Sequence, residues 1–454
     1  MQSGAAHRAG GGVSLSTRVF SWSKDTIHMR SNVLLLLVIG ALLRGDLAWA
    51  QSPTGAWPTF RSAGRTGTAP DTGLLSSWPA EGPKLVWETA GAGRGYSSLA
   101  IVDARIYTLG DAPSTADDAD EYLLCFNQAD GKPLWRAKTG PAWKTGKPNW
   151  QSSRSTPSVD EDRVYVITPH GELVCCTTAG AEKWCKDLAK DFDGQKADGW
   201  GYSESVLIDG ERLVCTPGGE KNTMVALDKH TGSTLWTASR PEDRGAGHAS
   251  IAVADVGGVR VYVQTTGSGA MGVRAKDGKL LWTYDIERTT AVIPSPIVRG
   301  DLVFFTAGYG RGGALLKQVP AGGGEIKIEE IYPIKRELAN KHGGVVLVGD
   351  YLYADSDDRG IPFCAELMTG DVKWKKRGSG RDSASIAAAD GKLYVRYADG
   401  TMTLVRASSE DFEELGSFKV PGSGERPSWS HPVIVDGKLY LREGDKILCY
   451  ELRA

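Results

Sequence analysis

Apolar residues along this chain come in short bursts broken by Gly-, Asp- and Ser-rich turns, not at the three-to-four spacing of an amphipathic helix. Residues 206–236, VLIDGERLVCTPGGEKNTMVALDKHTGSTLW, hold one complete unit. Val206–Ile208 predicts a strand, Asp209-Gly210 a tight turn, Leu213–Cys215 a second strand and Met224–Leu227 a third. Thr231-Gly232 turns again, and Thr234–Trp236 closes the unit as a fourth strand. A four-stranded antiparallel sheet of this size exposes its faces and edges unless copies of it lie on either side.

The copies are present. A turn followed by an apolar strand recurs as VDARIYTL, DEDRVYVI, IDGERLVC, VGGVRVYV, VRGDLVFF, VGDYLYAD, ADGKLYVR and VDGKLYLR. A second mark shares the period: Gly-x-x-x-Trp at Gly131/Trp135, Gly180/Trp184, Gly232/Trp236, Gly278/Trp282 and Gly370/Trp374. Four strands per unit at this period predict an all-β chain, a β-propeller of four-stranded antiparallel blades. The indole ending each outer strand is expected to fill the space between neighbouring sheets.

Blade boundaries fall near 89–135, 136–184, 185–236, 237–282, 283–331, 332–374 and 375–418, with an eighth blade made of 419–451 and 84–88. The last segment carries three strands and no fourth, while Lys84–Glu88 is a strand with none before it, so the N-terminal strand is expected to close the ring. Blades five (EIKIEEIY) and seven (EDFEELGSF) lack the terminal Trp. Ile or Leu is expected to dock there, and seven blades is the alternative count. Residues 51–82, rich in Gly, Pro, Ser and Thr and carrying Trp57, Phe60 and Trp78, read as a lead-in lying on the propeller surface; the propeller itself covers 83–454.

Residues 1–50 read as a leader and signal peptide, with Met29 as the true start. Arg30 is the charged region, Val33–Leu43 an apolar run too short to span a bilayer, and Ala48-Trp49-Ala50 the cleavage site. That implies export to the periplasm or outside the cell, with no transmembrane span in the mature chain; an N-terminal anchor helix is the alternative. The residue after the cut is Gln51, not Cys, which argues against a lipid anchor there. A net charge of −2 leaves no basic footprint for nucleic acid. The seven cysteines, without CxxC or zinc spacing, read mainly as small buried hydrophobes.

In a propeller, the loop from one blade's outer strand to the next blade's inner strand crosses to the central channel. Those loops read GRGYSS, SSRST, GWGYSES, GAGHAS, KHGG, SGRDS and SWSHP, with blade five's VIPSP the bland exception. They nominate Tyr96, Arg154, Trp200, Tyr202, Glu204, His248, His342, Arg381, Asp382, Trp429 and His431 as ligand contacts. Arg154 and Arg381 suit an anion, Trp200 and Trp429 a planar ring, and Glu204 or Asp382 a base or cation ligand. The competing view is that these are solvated loop residues and blade closures. No catalytic roles follow, and no metal site is expected. GAGRG at 91–95 precedes a strand, so a plain loop is preferred to a phosphate cradle.

ALDKHTGSTLW, with weaker echoes in CFNQADGKPLW and VRAKDGKLLW, resembles the tryptophan-docking repeat of the PQQ-repeat β-propeller superfamily. WPTFRSAGRTGTAP, WGYSESVLIDG and CTPGG resemble an exported PQQ-like group within it, so the resemblance covers about 57–451. That superfamily includes quinoprotein (PQQ-dependent) alcohol dehydrogenases and an outer-membrane assembly lipoprotein. It implies either a binding or assembly scaffold, with a protein or small-molecule partner at the channel mouth, or a PQQ-dependent alcohol or sugar dehydrogenase using PQQ with Ca²⁺. The enzymes often carry a vicinal disulfide over the cofactor. Cys175-Cys176 lies in a strand, where neighbours face opposite ways, so such a disulfide is not expected here. The channel loops offer few carboxylates, which weighs toward the scaffold.

Overall fold

The computed structural model describes residues 55–112, 119–147 and 150–454. The expected leader and signal peptide at 1–50, with Met29, and the first lead-in residues lie outside the described residues. Among those described, eight four-stranded antiparallel sheets follow one another around the molecule. Blade one holds strands Ala100–Val102, Arg105–Ala112, Asp120–Asn127 and Pro133–Pro141. Blades two to seven open at inner strands Ser158–Asp160, Leu207–Asp209, Ala252–Val256, Ile297–Arg299, Val346–Val348 and Ala384–Ala389. Blade eight takes Val433–Val435, Lys438–Glu443 and Lys446–Glu451 from the C-terminal end and Leu85–Ala90 from the N-terminal side, with Trp87 opposite Cys449. This is the expected closure, and the count is eight. The one α-helix among the described residues is the single turn Leu188–Phe192, capped by Asp187.

A repeated rung explains both the tryptophans and most of the cysteines. In blades one, two, six and eight the residues directly opposite one another on the second, third and outer strands are Tyr, Cys and Trp. They are Tyr107–Cys125–Trp135, Tyr165–Cys175–Trp184, Tyr353–Cys364–Trp374 and Tyr440–Cys449–Trp87. The small thiol lets the two flanking rings lean together over it, with centroids 6.0–6.1 Å apart. Blades three and four put Ala226 and Gly272 beneath Trp236 and Trp282. The indole then reaches the next blade. Trp135, Trp184 and Trp236 donate their ring N–H to the carbonyls of Thr178, Lys229 and Ala275 at 3.0–3.2 Å. They lie flat on Gly180, Gly232 and Gly278, where any Cβ would sit 2.5–2.9 Å from the ring.

Blades five and seven depart from the pattern: the middle rung is Leu315 and Leu404, and neither outer strand carries an indole opposite it. Neither blade docks through Ile or Leu as expected. In blade five the buried Tyr332 lies against Gly370 of the next blade. In blade seven the indole position is Gly416, and Trp78 of the lead-in covers it, 5.8 Å from Tyr394. Phe418 completes that seam by packing on Gly82.

Adjacent thiols serve different seams. Cys175 packs between blades two and three and Cys176 between blades one and two, as the alternation of strand residues requires.

The lead-in lies on the surface only in its second half, where residues 70–82 are mostly exposed and held by Leu74 and Trp78; its first half turns inward. Trp57 pairs with Ile101 of blade one, and the Pro58 carbonyl accepts from Val159 N of blade two. Arg65 donates to the carbonyls of Ser205, Val206 and Ile251 in blades three and four. Arg61 reaches the Val345 carbonyl in blade six, and Ala69 N donates to Ala388 O in blade seven. Residues 57–69 therefore touch the inner strands, or the residues just before them, of blades one to four, six and seven, and stop the channel at one end. Turn-forming Gly and Pro hid this role, because the segment supplies single hydrogen bonds and not a ladder.

Trp78→Ala is expected to cost about 3–5 kcal/mol, comparable to Trp374→Ala, because both remove a buried indole from a blade seam. Urea unfolding measures it, and an unchanged midpoint for Trp78→Ala would show that the lead-in is not part of the packing.

Candidate functional site

A chain of hydroxyls sets the loops at the other end of the channel. One hydroxyl stands shortly before each inner strand of blades one to five: Ser98, Thr156, Ser205, Ser250 and Ser295. Each of the last four accepts the backbone N–H of its counterpart one blade earlier, at 2.9–3.2 Å. Ser98 Oγ donates to the His431 carbonyl at 2.8 Å, carrying the chain on to blade eight. Such bonds satisfy buried amides and lock the register of neighbouring loops.

Above the Phe60–Arg61 plug these loops enclose a cavity of about 290 Å³. Of the residues nominated from sequence, Tyr96, Arg154, Trp200, His248, His342, Trp429 and His431 line it. Trp429 is the hub. His342 stacks on it at 4.6 Å and 23°, and Tyr96 tilts against it at 4.8 Å. Arg154 lies over the Tyr96 ring and is tied to the carbonyls of Trp150, Ser152 and Trp200. His431 meets Phe60 edge to face at 4.8 Å.

Four nominated residues do not line the cavity. Tyr202 is buried between blades two and three and donates to Pro217 O at 2.9 Å. Arg381, its side chain 80 % exposed, faces Asp399. Asp382 is exposed and adopts a φ of 65°. Glu204 is buried between blades, accepting from Thr216 N at 2.7 Å and from Gln264 Nε2 at 3.3 Å. Sequence reasoning missed Phe60, Arg61, Trp150, Ser203, Tyr309 and Lys341, which also line the cavity. Phe60 and Arg61 belong to the lead-in and carry no loop signature. The evenly spaced loop hydroxyls were a legible mark that the aromatic residues drew attention away from.

Burial sets the charge state. It pushes His248 down to about 4, His431 to about 3 and His342 well below the usual imidazole value, so all three are neutral at pH 7. Burial also lowers Arg61 and Arg154, each to about 10, which leaves both charged. His248 bridges two partners: Ser203 Oγ lies 2.6 Å from its Nδ1 and Asp198 Oδ2 lies 2.8 Å from its Nε2. Asp198 is held near 2. Burial opposes this, but the neighbouring His248 and Lys196 outweigh it.

The residues present do not fit PQQ held by Ca²⁺. Calcium takes six to eight oxygen ligands, yet among the described residues no Asp, Glu, Asn or Gln side chain lines the cavity. Among the described residues no group of three or more His, Cys, Asp and Glu could hold a metal ion.

Burial raises Glu204 to about 8, so it is protonated in the folded chain where the unfolded chain would ionise near 4.5. The folded form then binds the extra proton, and the stability it confers is lost as pH rises from about 4.5 to about 8. Glu204→Gln is expected to gain on the wild type across that window, by up to roughly 1 kcal/mol per pH unit. Melting curves at pH 5 and pH 8 measure it; an equal gap at both would refute the protonated state.

The profile of the family described as outer membrane protein assembly factor BamB matches residues 38–142 and 119–376. No curated protein matches significantly. BamB from Moraxella catarrhalis superposes with a TM-score of 0.55 at 13 % identity, covering 81 % of this chain and 99 % of that one. A europium-containing methanol dehydrogenase gives 0.60 at 11 %, over 85 % and 89 % of the two chains. The quinohemoprotein alcohol dehydrogenase of Comamonas testosteroni gives 0.57 at 13 %, over 87 % and 80 %. At such identities these likenesses establish the fold and leave function to the site. Together with the matched profile, the eight docked blades make this chain a member of the PQQ-repeat β-propeller family, within the BamB-like branch.

Proposed function

We propose that this protein is an exported binding scaffold whose channel cavity takes a small planar anion. Arg61 carries the proposal. It is 2 % exposed, it lines the cavity, and its Nε and Nη1 have no hydrogen-bond partner. A buried guanidinium with unmet donors is costly, and a bound anion would satisfy it. Arg154 and Lys341 add positive charge to the same lining, and Trp429, Trp200 and Trp150 offer faces for a flat ring.

The leader expected at 1–50 and the family's description as an assembly factor support export and protein partners in the cell envelope. The quinoprotein dehydrogenase reading is less well supported, since among the described residues the lining has no carboxylate or side-chain amide for calcium.

Tryptophan fluorescence titration with three planar anions, benzene-1,3-dicarboxylate, flavin mononucleotide and metal-free PQQ, tests the proposal. At least one is expected to saturate. Arg61→Met is expected to weaken it by on the order of ten- to a hundredfold, the cost of a hydrogen bond to a charged group. No saturation by any of the three at millimolar concentration, or an unchanged affinity in Arg61→Met, would overturn it.

A further inference from the structure

We infer that Ser203, His248 and Asp198 form a hydrolytic relay, and that the cavity's ligand is a carboxylic ester with a planar, anionic part. This rests on the binding proposed above for its choice of substrate, but the relay stands on its own geometry. Three observations lead to it.

The first is connectivity. Ser203 Oγ is 2.6 Å from His248 Nδ1, and Asp198 Oδ2 is 2.8 Å from His248 Nε2. With the Nε2 proton donated to the Asp198 carboxylate, Nδ1 presents its lone pair to the Ser203 hydroxyl. This is the hydroxyl–imidazole–carboxylate arrangement of serine hydrolases, with the two ring nitrogens exchanged. The carboxylate is 5 % exposed and the imidazole 7 %, so both are held in a dry setting.

The second is that Ser203 has no place in the structural chain of hydroxyls. That position in its loop belongs to Ser205, whose Oγ accepts Thr156 N. Ser203 instead lines the cavity. The other Ser–His contact, Ser383 with His342 at 2.8 Å, differs in both respects. Ser383 is buried outside the lining, and the His342 ring stacks on Trp429.

The third is charge. Arg154 lines the same cavity and acts electrostatically on His248, so positive charge stands near the place where an oxyanion would develop.

In the first step Ser203 Oγ bonds to the ester carbonyl carbon as its proton passes to His248 Nδ1, and the carbonyl π pair moves onto oxygen. The tetrahedral species collapses, the alkoxide leaves, and it takes the proton from Nδ1 as an alcohol. A water then gives a proton to Nδ1 and attacks the acyl carbon. Ser203 departs and recovers that proton, releasing a carboxylic acid. Ester and water become acid and alcohol, with no other reactant.

The test treats the full purified chain with a fluorophosphonate probe and maps the adduct by mass spectrometry. One adduct is expected, on Ser203, absent in Ser203→Ala and formed at least about a hundredfold more slowly in His248→Gln. Asp198→Asn, which preserves shape, is expected to slow it as well and serves if His248→Gln does not fold. The mono-p-nitrophenyl ester of benzene-1,3-dicarboxylate is expected to turn over faster than neutral p-nitrophenyl benzoate, a preference lost in Arg61→Met. No adduct on Ser203 of folded protein, or one formed at an unchanged rate in both relay variants, would overturn the inference. If Ser203→Ala binds planar anions while the wild type is never labelled, the relay falls and the binding proposal stands. If Ser203 is labelled while no planar anion binds, the relay stands and the anionic substrate class falls.

Discussion

The molecule depends on a flat ring lying over a residue small enough to permit it. In six of the eight blades the middle rung is Cys, Ala or Gly and an indole crosses it toward the next blade. In the other two it is Leu and the outer strand carries no indole, though Trp78 of the lead-in takes that place in blade seven. A small centre accompanies every indole carried by a blade's own outer strand. This also accounts for a cysteine content that neither disulfides nor metal explain. The thiols are shielded by burial, which pushes Cys125, Cys175 and Cys449 up to about 12 and so removes the reactive thiolate.

The channel follows from the same geometry. Eight inner strands leave an axial space that side chains alone do not fill. At one end the lead-in enters it with two arginines. Arg65 is satisfied by carbonyls of two blades, whereas Arg61 is only partly satisfied. At the other end the linked hydroxyls hold the loops in step. Between them remains a cavity rich in aromatic rings and positive charge, whose histidines are neutral because the rings are buried. Its character is thus set jointly by the plug beneath and the loops above.

Much of this was legible from sequence because repetition reports on the fold directly. Turn and indole marks recurring together gave the blades, and Lys84–Glu88 without a partner beside three strands without a fourth gave the closure. Seven loop residues converge on the cavity because loops at equivalent places in a closed ring face one axis. What stayed hidden depends on side-chain direction within a loop. In GWGYSES, Trp200 and Ser203 line the cavity while Tyr202 and Glu204 turn between blades. Nothing in the spelling of that loop distinguishes the two pairs. Trp78 was also out of reach, because it completes a blade more than three hundred residues away in sequence, at Gly416.

That reach has a consequence for how the molecule comes into being. Trp78 and Leu85–Ala90 are made more than three hundred residues before their partners, Gly416 and Lys446–Glu451. The earlier segment must wait, unpaired and aromatic, until the seven blades between it and the closing strands have emerged. A chain cut before Gly416 would keep its first blades but leave a sticky strand and a bare indole with nowhere to go, which is the kind of species that aggregates or recruits a chaperone.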